Sequence, residues 1–174
     1  MNLPNKLTLL RLLLVPFYVY LAYYTPYSLA ALVVFSVAAL TDLLDGYYAR
    51  KHNLITEFGK LMDPLADKFL TISAFTVFNA LGLLSPVVLL IVCLREISIS
   101  VFRALAASKD VVIAASIYGK IKTILQMVVI ILIHLHQIFH QPLSIWMNLL
   151  IGLMALMTLL SAVDYLWKNR KVLK

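Results

Sequence analysis

Negative charge is scarce in this chain. Eight Asp and Glu residues stand among 174 positions, against fifteen Lys and Arg, and charged residues make up only 13% of the total. A soluble domain carries about 25% charged residues. With 63% hydrophobic residues and a mean hydropathy of +0.94, the chain holds more apolar surface than a globule of this length can bury, which excludes a water-soluble domain. Lipid must solvate much of it. Cysteine is almost absent: Cys93 stands alone in an apolar run, so no disulfide framework exists. No internal repeat, low-complexity stretch or long linker divides the chain, and one domain over residues 1–174 is expected. No small-residue cleavage signature follows the first apolar segment, so that segment is expected to be a retained membrane helix rather than a signal peptide.

The net charge of +7 is spread singly or in small groups between apolar segments. That is the pattern of membrane edges, not of a nucleic-acid surface, and no nucleic-acid partner is expected. The apolar runs predict an all-α integral membrane protein, a six-transmembrane-helix bundle. The expected helices are 7–24, 27–50, 59–81, 87–107, 112–139 and 142–167, with a polar loop over 51–58, a turn over 82–86, and first turns of the fifth helix in water. Lys and Arg cluster toward one side, while the connections at 24–28, 82–85 and 140–141 contain neither. Both termini are therefore expected to be cytoplasmic, placing the protein in the cytoplasmic membrane.

Four of the eight acidic residues, Asp42, Asp45, Asp63 and Asp67, fall within 26 positions. Asp42 and Asp45 share a face at the end of the second predicted helix. Asp63 and Asp67 share one near the start of the third. A short connection makes these helices antiparallel neighbours, so the four carboxylates can converge just inside the cytoplasmic edge. Insertion scales penalise a charge at mid-bilayer by roughly 2.5–3.5 kcal/mol, and four like charges add repulsion. Cations would relieve both costs. Oxygen-only ligands suit Mg²⁺ or Mn²⁺, and four carboxylates can hold two such ions.

Residues 42–67 read Asp-x2-Asp-Gly-x2-Ala-Arg-x8-Gly-x3-Asp-x3-Asp. This resembles the signature of the CDP-alcohol phosphotransferase family at every fixed position. Other segments resemble members that use glycerol phosphate: residues 2–11, Met62 through Lys68, Arg95-Glu96-Ile97, Ala115-Ser116, and Gly119 through Thr123 with Gln126. Ser108-Lys109-Asp110 departs from the pattern, where a glycine is expected. The resemblance implies that family's six-helix fold, CDP-diacylglycerol as donor, sn-glycerol 3-phosphate as acceptor, CMP as leaving product, membrane lipid as surroundings, and a homodimer.

Carried over residue by residue, the resemblance gives Asp42, Asp45, Asp63 and Asp67 to the metals, and makes Asp67 the base that deprotonates the acceptor hydroxyl. Asp42, Asp45, Gly46, Ala49, Arg50 and Gly59 would line the CDP pocket, with Asn5, Thr8 and Arg11 near the nucleotide. An acceptor phosphate requires cations, for which Lys60, Arg95, Arg103, Lys120 and Lys122 are the candidates. Arg95 lies about 12 Å deeper along its helix than Arg103, a depth at which arginine faces a polar cavity or a partner. Glu96 is the alternative partner, although adjacent helix positions point in different directions. If Lys120 and Lys122 bind the phosphate, at most one of them is expected to point straight into the pocket. His134, His136 and His140 are expected to be interfacial polar residues, and the tyrosines and tryptophans to form interface belts or packing. Two other functions compete: a sibling transferase with another acceptor (phosphatidylglycerol, inositol phosphate or serine), and a divalent-cation transporter.

Overall fold

The computed structural model describes the backbone of residues 3–26, 28–51, 57–109, 111, 113 and 116–170, and the side chains of these except 3–4, 42–51, 57–61 and 63–64. The described residues form six helices and no strand: α1 (Leu3–Tyr24), α2 (Ser28–Lys51), α3 (Glu57–Ala80), α4 (Pro86–Ser108), α5 (Ile117–Ile138) and α6 (Ile145–Lys168). The predicted loop over 51–58 is shorter than expected. Lys51 ends α2 while Glu57 and Phe58 open α3; residues 52–56 lie outside the described set.

Capping chemistry explains where the helix ends depart from hydropathy. α1 begins at Leu3 rather than residue 7, because Pro4 sits in its first turn, where a fixed φ favours helix and a missing N–H costs nothing. α5 begins at Ile117, not 112, because the Ser116 hydroxyl accepts from Gly119 N–H at 3.1 Å. Of the expected earlier turns, residues 113 and 116 are described and neither is helical. In the same way Ser144 accepts from Met147 N–H and starts α6 three residues later than expected. Ser85 caps α4 ahead of Pro86.

α3 is the central helix, packing against α1, α2, α4 and α5, while α6 covers α4 and α5. The main core fills the space between them with Tyr18, Phe35, Phe75, Phe78, Ile130, Ile133 and Met154, all essentially without exposure. Toward the C-terminal ends of α4 and α6 a smaller cluster gathers Ile99, Phe102, Ala106 and Tyr165. Each of α4, α5 and α6 buries an apolar stripe that turns polar part-way along: Val92 gives way to Glu96, Val129 to Gln126 and Lys122, and Met154 to Thr158 and Ser161. A buried polar layer results at one end of an otherwise greasy bundle.

The outer surface is apolar. Leu13, Leu29, Val87, Ile117 and Trp146 are all more than 60% exposed, which water would penalise and hydrocarbon would not. Among the described residues α1, α5 and α6 are long and apolar enough to cross a membrane. The apolar stretch of α2, Ser28–Thr41, is shorter.

His134 departs from the interfacial expectation. It is fully buried, with its Nε2 3.0 Å from the Tyr18 hydroxyl and its ring edge-on to Phe78 at 5.0 Å between centroids. The buried Tyr18 hydroxyl satisfies the His134 Nε2 inside the core. His140 is exposed and follows the Phe139 C-cap of α5 with φ 50.

α3 closes through Gly82, whose φ of 72 lets Leu83 N–H reach Phe78 C=O at 2.8 Å and Gly82 N–H reach Asn79 C=O at 3.0 Å. A side chain at that backbone angle is strained even though the space around it is open. Gly82→Ala is expected to lower stability by about 1 kcal/mol, read as a lower midpoint of thermal unfolding in detergent with turnover retained.

Candidate active site

The polar layer borders a cavity of about 410 Å³ between α3, α4, α5 and α6. Five basic side chains line it (Lys68, Arg95, Arg103, Lys120 and Lys122) against two carboxylates, Asp67 and Glu96. Such a cavity attracts anions. Lys68, Arg95, Arg103 and Lys122 are each held by a side chain on another helix.

Glu96 is 5% exposed and carries the largest share of this wiring. Arg95 Nη1 donates to both of its carboxylate oxygens, at 3.3 and 3.2 Å, and Lys122 Nζ on α5 forms a second ion pair with Oε1. A long guanidinium side chain can fold back over its neighbour, which is how residues adjacent on one helix meet despite diverging Cβ directions. Arg95 Nη2 also donates to Ser161 Oγ on α6 at 3.0 Å. Lys122 donates to Gln126 Oε1 at 2.9 Å. Lys68 on α3 donates to Ser100 Oγ, and that hydroxyl in turn donates to the Glu96 backbone carbonyl. Four helices are thereby joined around one carboxylate.

Arg103 stands at the exposed rim. Its Nε donates to the Tyr165 hydroxyl at 3.1 Å, and its guanidinium lies 5.4 Å from the centroid of that ring. Tyr165 is itself buried edge-on against Phe102. Lys120 and Lys122 both border the cavity. Lys122 is buried within the wall, whereas the exposed Lys120 reaches the cavity with a flexible four-carbon stem, so the two arrive from different heights. Two buried donors on residues of this wall, Arg95 Nε and Gln126 Nε2, have no hydrogen-bond partner among the described residues. Buried donors call for acceptors.

Of the predicted residues, the cavity brings together Asp67, Arg95, Arg103, Lys120 and Lys122. Asp42 and Asp45 fall in the last turns of α2, and Asp63 in the first turns of α3 with Asp67; α2 and α3 pack together. The side chains of Asp42, Asp45, Gly46, Ala49, Arg50, Gly59, Lys60 and Asp63 lie outside the described residues. Among the described residues no three His, Cys, Asp or Glu side chains gather as a metal site. Asn5, Thr8 and Arg11 are buried on α1, which packs against α2 and α3, and are not among the cavity's described walls.

Sequence reasoning missed Lys68, Gln126, Ser161 and Tyr165 as parts of the site, and treated Glu96 only as a partner for Arg95. A signal existed. Thr158, Ser161 and Tyr165 recur at spacings of three and four within the most apolar helix, which marks a polar face turned inward.

An all-helical protein with membrane-length apolar helices and an anion-attracting polar cavity at one end defines a class: membrane-embedded proteins that handle phosphorylated substrates. A family model described as CDP-alcohol phosphatidyltransferase matches residues 1–161. The chain is 33% identical over 189 residues to a CDP-diacylglycerol--glycerol-3-phosphate 3-phosphatidyltransferase of Bacillus subtilis, covering 99% of this chain and 97% of that protein. It is 39% identical over 129 residues to a protein of the same name from Rickettsia felis (72% and 71% covered). To a probable phosphatidylglycerophosphate synthase of Mycobacterium tuberculosis it is 37% identical over 169 residues, covering 94% and 79%. The chain belongs to the CDP-alcohol phosphatidyltransferase family.

The Glu96 network makes a stability prediction. Removing one member of a buried ion pair costs about 3–5 kcal/mol, because the other charge is left uncompensated. Glu96→Gln is expected to lower the midpoint of thermal unfolding in detergent, and adding Lys122→Met is expected to recover much of that loss. Independent, additive effects of the two substitutions would show that the pair does not couple.

Proposed function

We propose that this protein transfers the phosphatidyl group from CDP-diacylglycerol to sn-glycerol 3-phosphate, giving phosphatidylglycerophosphate and CMP. The observation that carries this reading is that Asp67 borders the same cavity as the cations expected to hold an acceptor phosphate. A base and an anion site in one cavity are what an alcohol bearing its own phosphate requires. The names of the relatives support the same donor and acceptor.

In this reading Asp67 takes the proton from the acceptor's primary hydroxyl. The hydroxyl oxygen attacks the phosphorus that bears diacylglycerol, the bond from that phosphorus to the CMP oxygen breaks, and CMP leaves with the electron pair. Arg95, Arg103, Lys120 and Lys122, with Lys60, hold the acceptor phosphate and so orient the attacking oxygen. Gly46, Ala49, Arg50 and Gly59, with Asn5 and Thr8, line the CDP pocket.

The donor set fits two hard divalent cations, Mg²⁺ or Mn²⁺: Asp42, Asp45, Asp63 and Asp67 offer carboxylate oxygen alone, from two helices packed against each other. When bound, such ions act as Lewis acids toward the diphosphate and neutralise charge on the departing CMP.

The same reading places all six helices across the cytoplasmic membrane, with both termini and the cavity on the cytoplasmic side. Helices of 22 to 24 residues are about 33–36 Å long, enough for a hydrocarbon core of about 30 Å. The one-sided Lys and Arg distribution supports the orientation. A homodimer is included on the strength of the family resemblance.

Turnover tests the proposal directly. Purified protein given CDP-diacylglycerol and sn-glycerol 3-phosphate is expected to release CMP, to stop in excess chelator and to resume with Mg²⁺ or Mn²⁺. Asp67→Asn is expected to slow release by about 10²–10⁴-fold, the usual contribution of a general base. CMP release that requires serine, inositol phosphate or phosphatidylglycerol instead would overturn the acceptor assignment. Full activity of Asp67→Asn would remove the base.

A further inference from the structure

Gln126 lies on α5 one turn beyond Lys122, about 6 Å further along the axis from the helix start. It is 2% exposed. Its amide could in principle face either way, but the neighbour decides. A lysine ammonium carries donors only, so the 2.9 Å contact with Lys122 Nζ must involve the amide oxygen. Lys122 is in turn anchored by Glu96. The line Glu96–Lys122–Gln126 therefore fixes the amide with Nε2 directed away from Lys122.

Nε2 is buried and has no hydrogen-bond partner among the described residues, while Gln126 borders the cavity. If the position served packing alone, a methionine or leucine would fill the same volume without leaving a donor unsatisfied. An amide whose oxygen is committed and whose NH₂ is left over is a preset neutral donor. The cations around it already suit a phosphate, so the chemistry left for a neutral donor is another oxygen of the same molecule.

We propose that Gln126 is a specificity-determining residue: from Nε2 it donates to an oxygen of the acceptor. This rests on the reading of the cavity as the acceptor site. The chemistry recognised is a hydroxyl or phosphate oxygen on a small phosphorylated polyol.

The test uses the full-length purified protein with CDP-diacylglycerol and two acceptors, sn-glycerol 3-phosphate and 3-hydroxypropyl phosphate, which lacks the middle hydroxyl. Gln126→Met keeps the volume and removes the donor. Gln126→Glu keeps the shape, can still accept from Lys122, and replaces the donor by a charge that repels an anion. Both variants are expected to raise KM for sn-glycerol 3-phosphate, Gln126→Met by about 5–30-fold, as the loss of one buried hydrogen bond gives. KM for CDP-diacylglycerol is expected to stay at the wild-type value in both variants.

If the bond goes to the hydroxyl, the wild type prefers sn-glycerol 3-phosphate and Gln126→Met handles both acceptors alike. If it goes to the phosphate, KM rises in parallel for the two acceptors. Unchanged acceptor KM in both variants would overturn the inference. So would a rise shared equally with CDP-diacylglycerol and accompanied by a lower midpoint, which marks packing alone. Wild-type protein that releases no CMP with sn-glycerol 3-phosphate would sink the acceptor reading itself. That result appears before any substitution is made.

Discussion

The cavity depends on one carboxylate placed where a carboxylate is expensive. Glu96 is buried among helices that are otherwise apolar, and it is tolerated because two cations from different helices, Arg95 and Lys122, share it. Those cations need Glu96 equally. Two positive charges facing each other from α4 and α5, which are held together mainly through α3 and α6, would otherwise repel. The shared carboxylate holds them together and leaves an excess of positive charge facing the cavity. An anion can then be attracted without the cations being free to rearrange around it, which is the condition for electrostatic preorganisation.

Much of the architecture was legible from hydropathy and charge. Six helices were expected and six are present among the described residues, and the turn at Gly82 was read from its glycine. What hydropathy could not supply were the ends. Ser116 and Ser144 stop the upstream chain from joining α5 and α6, and a single hydroxyl accepting one N–H contributes little to any hydropathy window. The site divides similarly. Asp67, Arg95, Arg103, Lys120 and Lys122 stood out because charged residues are rare in apolar runs. Gln126, Ser161 and Tyr165 carry no charge and did not. His134 misled in the opposite direction: its place in sequence fits an interface, but its Tyr18 partner is 116 residues away, beyond any local pattern.

The central place of α3 gives the bundle a functional asymmetry. Its early turns carry Asp63 and Asp67 beside the end of α2, where the signature aspartates are found; its other neighbours, α4 and α5, carry the cavity cations. α3 thus touches the signature side, α1 and α2, and the cavity side, α4 and α5, although α2 and α5 also pack against each other. Asp67 belongs to both sets. A residue that must meet an alcohol and a diphosphate together has to be on a helix that touches both sides, and in this bundle α3 satisfies that geometry.

Such an arrangement also explains why the polar layer is confined to one end. Carboxylates, ammonium groups and guanidinium groups at mid-bilayer depth would each need a partner, and the apolar core of Tyr18, Phe75, Phe78 and Ile133 offers almost none. Near the helix ends long side chains can extend toward water, as exposed Lys120 and Arg103 do, while their deeper neighbours Lys122 and Arg95 are paired. A polyol phosphate comes from water and a diacyl nucleotide from lipid. In the proposed orientation the cavity lies at that boundary, with its deeper cations paired to Glu96 and Arg103 and Lys120 at its rim, so the two can meet without either substrate leaving its own phase.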